Sequence, residues 1–160
     1  MSDFHKRMSK QGWAVLPLRV MIGFGFAAHG YAKLSRGPAA FAAILTSIGV
    51  PAPGLMAWVT SLLEFFGGVS IMIGGLVVPL SVPLIVVMLT AMFSVHLQNG
   101  FSTIKLKSVT ASGAEFGAPG YEMNLVYIAG LLTLALGGPG PASVDNWRVE
   151  SDKRRNRHLQ

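Results

Sequence analysis

The stretch Ala57–Ile73, AWVTSLLEFFGGVSIMI, is apolar throughout except for one carboxylate, Glu64. At helical spacing Ala57, Thr60, Ser61, Glu64, Gly67, Gly68 and Ile71 fall on one face. Trp58, Leu62, Leu63, Phe65, Phe66, Val69 and Met72 fall on the other. Small and weakly polar residues let backbones approach closely, so in a bilayer they mark the side turned to other helices. Large apolar residues face lipid. The pattern therefore aims Glu64 into a bundle, where an ionisable group is a candidate for function.

The rest of the chain agrees with a membrane setting. Of 160 residues 51% are hydrophobic and only 12% charged, whereas a soluble domain carries about 25% charged residues. Eight of the thirteen lysines and arginines lie before Trp13 or after Trp147, and the only acids between those tryptophans are Glu64, Glu115, Glu122 and Asp145. The net charge of +6 thus belongs mostly to the tails. Basic segments beside membrane spans orient a protein and attract anionic headgroups. Nucleic acid is not the expected partner, because nothing aromatic interleaves the basic run. The absence of cysteine excludes disulfides, iron–sulfur ligation by this chain and CxxC thiol exchange.

Three regions follow: a basic N-terminus over 1–12, a membrane domain over 13–140 and a basic tail over 141–160. Residues 1–34 could be read as a signal peptide, but Arg19 interrupts the apolar run and the run continues to about Leu34, which favours a retained first span. Four spans are predicted at about 13–33, 54–75, 79–97 and 121–136. Between the first two, Phe41, Ile44, Leu45 and Ile48 recur at i, i+3, i+4, i+7 after Pro38, an amphipathic helix suited to the interface. Gln98-Asn99-Gly100 ends the third span. The polar 101–120 loop has an alternating Ile104-Lys105-Leu106-Lys107 run that could form a short hairpin, and a loop of this length is commonly functional, a lid being one such use. The expected fold is an all-α membrane protein, a four-transmembrane-helix bundle with one interfacial helix. Four spans put both termini on one side, and Lys6, Arg7 and Lys10 together with Arg148, Lys153, Arg154, Arg155 and Arg157 make that side cytoplasmic.

Depth arithmetic then sorts the polar residues. Arg19, Gly23, Phe26, Gly30 and Lys33 share one stripe of the first span, with His29 at its edge. Arg19 lies about one turn from the middle of that span and Glu64 near the middle of the second, so an Arg19–Glu64 ion pair is expected. The alternative leaves Arg19 snorkelling to the inner interface and Glu64 protonated. At the outer end His29 and Lys33 close span one, His96 and Asn99 close span three, and Tyr121, Glu122 and Asn124 open span four. Imidazoles, an ammonium, a phenol, an amide and a carboxylate at one level can bind a polar headgroup and move protons, as a quinone site requires. Singly, Lys33 also serves as a helix-end cap, Tyr121 as an interfacial anchor, and Met88 and Met92 as packing residues. Haem or metal ligation by His29, His96 and Glu122 is not expected, since no tight HxxxH or ExxH spacing exists.

An ordered set of motifs resembles the DoxX family of small four-helix bacterial membrane proteins. The set is Leu18-Arg19, His29-Gly30-x-x-Lys33, the 41–53 segment with Ile48-Gly49-Val50-Pro51-Ala52-Pro53, Glu64-x-x-Gly67-Gly68, His96-x-x-Asn99-Gly100 and Tyr121-Glu122. The resemblance runs from about Ala14 to Trp147. It implies association with quinol oxidase or thiosulfate:quinone oxidoreductase systems, or with quinone and catechol stress, while related membrane proteins serve maturation or trafficking. The polar positions carried over are Arg19, His29, Lys33, Glu64, His96, Asn99, Tyr121 and Glu122.

Together these readings predict a multi-pass subunit of the bacterial inner membrane that binds quinone or a similar small redox molecule near the extracytoplasmic face. His29 and His96 would hydrogen-bond its oxygens, Tyr121 and Glu122 would relay protons, and Lys33 would favour the anionic reduced form. Without cysteine or a dinucleotide fingerprint, electrons must come from a partner protein or a diffusible donor. A second reading is a non-catalytic accessory or assembly subunit of a larger respiratory complex. A third is a small-solute transporter built around Glu64, which no internal repeat supports.

Overall fold

A computed structural model describes residues 2–157, with side chains described for residues 12–152, Arg154 and Arg155. The side chains of Lys6, Arg7, Lys10, Lys153 and Arg157, on which part of the charge argument rests, lie outside that set, as does the end of the tail. The elements are α1 (Ser2–Ser35), α2 (Pro38–Ser47), α3 (Pro53–Ile73), α4 (Val77–Ala91), a hairpin of β1 (Leu106–Thr110) and β2 (Gly113–Phe116), α5 (Glu122–Gly137) and α6 (Val144–Arg157).

Three helical stretches are long and apolar enough to cross a membrane: Gly12–Ser35, Pro53–Ile73 and Val77–Asn99. The last continues α4 through a π-helical turn, Met92–His96, and a 3-10 turn, Leu97–Asn99. α2 and α3 each carry proline in the first turn, where the missing N–H has no intrahelical acceptor to lose. α3 stops at Gly74, whose φ of 76° is a left-handed value that glycine adopts without strain. α5 is apolar but has only 16 residues, about 24 Å of helix.

Neighbouring helices run antiparallel. α1 lies against α3 with Gly23 beside Gly68 and Gly30 beside Ser61 and Phe65. A methyl group at Gly30 would sit 2.8 Å from the Ser61 carbonyl oxygen, and one at Gly23 2.6 Å from that of Gly68. The two backbones are thus in van der Waals contact, the close crossing that small residues permit. α4 packs on α3 through Leu84 at Gly67, and α5 returns beside α1 and α4, with Gly130 under Ile22. Ile22, Phe26, Ile71, Val77, Leu84, Leu131 and Leu134 form the core. Two ends result, one holding Lys33 and the α2 helix, the other holding Arg19 and the 137–143 loop.

The buried face of α3 is Ala57, Ser61, Glu64, Gly67, Gly68 and Ile71, while Trp58, Leu62 and Phe66 are exposed. This is the division the 3.6-residue period predicts. Two elements stand outside the apolar helices. The 101–120 loop contains an antiparallel hairpin, pairing Leu106 with Phe116 and Val109 with Ala114, and irregular between Leu106 and Ser108. The tail is helical from Val144 to Arg157. Ser143 starts that helix, its Oγ accepting the Asn146 N–H at 3.2 Å, as an N-cap serine does.

Candidate functional site

Glu64 does not pair with Arg19. The Lys33 ammonium donates to both carboxylate oxygens of Glu64 at 2.6 Å. The Glu64 side chain is 2% exposed and that of Lys33 is 24% exposed. Lys33 also stands 4.5 Å from the centroid of the Phe41 ring on α2, a cation–π geometry. The helix crossing explains this choice of partner. With Gly30 against Ser61 and Phe65 in an antiparallel crossing, Lys33 comes one turn beyond Glu64, near Thr60. The gap is closed because each side chain leans toward the N-terminus of its own helix and so toward the other. Arg19, at the far end, lies beside Gly74 instead.

Arg19 is buried at 2% exposure and pairs with no carboxylate among the described residues. Its guanidinium donates to the Pro139 carbonyl and, at 2.8 Å, to the Ala142 carbonyl, while its Nε has no partner. It therefore ties the loop after α5 to α1. Asp145 makes a matching tie, accepting the N–H groups of Leu76 at 2.9 Å and Val77 at 3.1 Å at the start of α4. A carboxylate there satisfies free helix N–H groups and favours the positive end of the dipole.

The expected outer group is only partly assembled. His96 Nδ1 and Asn99 Nδ2 both reach the Pro119 carbonyl, at 3.1 and 3.2 Å. Glu122 accepts the Thr103 N–H at 3.0 Å, and the Tyr121 ring meets Phe101 edge-on at 5.6 Å. These four residues hold the 100–120 loop across the ends of α4 and α5. Asn124, buried on α5, donates to the Met88 carbonyl at 3.3 Å. His29 is exposed on α1, one turn from Lys33. No hydrogen bond among the described residues joins it to His96, Tyr121 or Glu122, and no three His, Asp or Glu there gather as a metal site would need.

Two features escaped the sequence reading. One is the Lys33–Glu64 pairing, which follows from Gly23 crossing at Gly68 and Gly30 at Ser61. The other is Tyr127, whose ring meets Phe26 edge-on at 5.2 Å and whose hydroxyl rests on Gly25. Its apolar surroundings in sequence gave no such signal. The π turn Met92–His96 is also informative, since no sequence pattern announces it and it ends on His96; such turns recur at functional sites.

Several long apolar helices around a buried ion pair define a multi-pass helical membrane protein. The DoxX family model matches residues 14–97, just over half of the chain. This protein belongs to the DoxX family. The matched part runs from α1 through the π turn and includes Arg19, His29, Lys33, Glu64 and His96. Neither the curated proteins nor the solved structures contain a match to it.

Proposed function

We propose that this chain is a four-span subunit of the bacterial inner membrane, with both termini in the cytoplasm, that binds a quinone or a similar small redox molecule. The site lies at the Lys33 end of the bundle, near the extracytoplasmic face. Lys33–Glu64 carries this reading, because it is a charge pair inside an apolar bundle with its lysine still partly open. Packing alone is a weak reason for such a pair, since well-fitted hydrocarbon of the same volume serves as well or better. A molecule that takes up and releases protons when its redox state changes requires a protonatable group within reach.

His29, exposed and four residues from Lys33, is the polar group that a lipid-soluble ligand meets on this flank. His96, Asn99, Tyr121 and Glu122 fix the 100–120 loop across the same end of the bundle. α5 supplies the fourth crossing, flanked by that loop and by Gly138–Pro141. A partner protein or a diffusible donor supplies electrons, as the chain has no cysteine.

Equilibrium binding of a labelled short-chain quinone to the protein in lipid nanodiscs tests this. Saturable binding that weakens at least tenfold in Lys33→Met and His29→Ala is expected. Equal binding by parent and variants would overturn it. A second reading, an accessory subunit without chemistry, draws support from the backbone partners that His96, Asn99 and Glu122 already have. It predicts a stoichiometric partner on mild purification whose activity is unaltered by the same variants.

A further inference from the structure

Tyr127 stands in the second turn of α5 with its hydroxyl against Gly25 of α1, where a methyl group would overlap it. Glycine at position 25 is what admits the phenol. The ring is held edge-on by Phe26, so its direction is fixed. Tyr127 is half-buried, and its hydroxyl makes no hydrogen bond among the described residues. Gly25 lies close to the midpoint of the Gly12–Ser35 span, where no water is at hand to accept that proton and an unmet O–H is costly. The group needs an acceptor that the described side chains and carbonyls do not supply.

The neighbouring positions suggest what brings one. His29 is four residues beyond Gly25 and Lys33 four beyond His29, so all three share one flank of α1. Each step rises about 6 Å along the helix. A phenol, an imidazole and the Lys33–Glu64 pair therefore form a polar ladder on an otherwise apolar surface, from mid-span to the Lys33 end. The imidazole is exposed and the phenol partly so. Met123, on the adjoining turn of α5, is also exposed. The flank is open to a molecule dissolved in the bilayer.

We propose that the Tyr127 hydroxyl and the His29 imidazole hydrogen-bond the two carbonyl oxygens at opposite ends of a quinone ring that enters between α1 and α5. One donor stands on each helix, and along α1 the two are about one helical turn apart. The Lys33–Glu64 pair then lies beyond the ring toward the surface. This assignment rests on the quinone reading above and names the residue that gives it geometry.

The test uses full-length protein in nanodiscs with a short-chain quinone, carbon-13 labelled at one carbonyl or the other, and reads affinity and the carbonyl stretching bands together. Tyr127→Phe removes only the hydroxyl. It should weaken binding about tenfold, return one carbonyl band toward its position in free quinone, and leave thermal unfolding unchanged. His29→Phe should shift the other band. Gly25→Ala, which displaces the phenol while keeping it, should copy the band change of Tyr127→Phe. If the parent binds quinone, loses it in Lys33→Met and keeps both affinity and bands in Tyr127→Phe, the Tyr127 assignment is wrong and the broader reading stands. If the parent binds no quinone, both fall.

Discussion

Removing one partner of the Lys33–Glu64 pair leaves the other charge nearly buried. Lys33→Met and Glu64→Gln should each lower stability in detergent by about 2–4 kcal/mol, a little under the roughly 3–5 kcal/mol for a fully buried pair broken from one side, because the Lys33 side chain is 24% exposed. The double variant Lys33→Met with Glu64→Leu should recover most of that loss, because no lone charge remains. Thermal unfolding of the three proteins separates structure from function, since the double variant is expected to fold and yet fail to bind quinone. A double variant as unstable as the worse single would show that the pair itself holds the bundle. The glycines give a second comparison at this scale. Gly30→Ala should destabilise by roughly 1–3 kcal/mol, as overpacked cores do, because its methyl group meets the α3 backbone. Gly54→Ala, with nothing within 4 Å, should be neutral or slightly stabilising. Glu64 was legible in the sequence as the buried charge, because one carboxylate on a small-residue face has few other places to go. Its partner was not. Depth along each helix cannot say how two helices slide past one another, and the Gly30–Ser61 crossing decides that slide.

Among the elements, α6 shows how a polar segment is fixed without a core of its own. Trp147 and Val149 are exposed, so the helix is held at its start: Ser143 caps it and Asp145 reaches across to the first N–H groups of α4. Asp145→Ala should cost about 1 kcal/mol, the usual worth of such a cap, and should speed proteolysis after Arg148 more than it lowers the unfolding temperature. Unchanged proteolysis would mean that α6 is anchored elsewhere. Ser143 followed two residues later by Asp145 is a helix-start pattern, while the polar, basic run behind it has no apolar period to mark a helix. The hairpin was half legible for a similar reason. The Ile104–Lys107 alternation announced a strand, while the observed strand begins at Leu106. The Thr103 N–H held by Glu122 and the Gly117 N–H donated to the Lys105 carbonyl at 2.8 Å set where pairing starts, and these are tertiary contacts that no local pattern contains.

For the molecule as a whole, the ladder of Tyr127, His29 and Lys33 has meaning only if the Lys33 end faces out and α5 completes the crossing. Arg19, bound to the Pro139 and Ala142 carbonyls, ties the first half of the Gly12–Ser35 stretch of α1 to the chain that follows α5. A bundle of four crossings would open its first and last spans on that same side. The absence of cysteine makes the arrangement directly measurable with single introduced thiols. Ser112→Cys at the exposed hairpin tip and Glu150→Cys on exposed α6 should differ completely in intact cells. A membrane-impermeant maleimide should label the first at once and the second only after the inner membrane is breached. Three crossings would put the hairpin and α6 on the same side, so equal labelling of both thiols in intact cells would remove α5 from the membrane. It would also take the Tyr127–His29 pairing out of the hydrocarbon depth that gives an unpartnered phenol its significance.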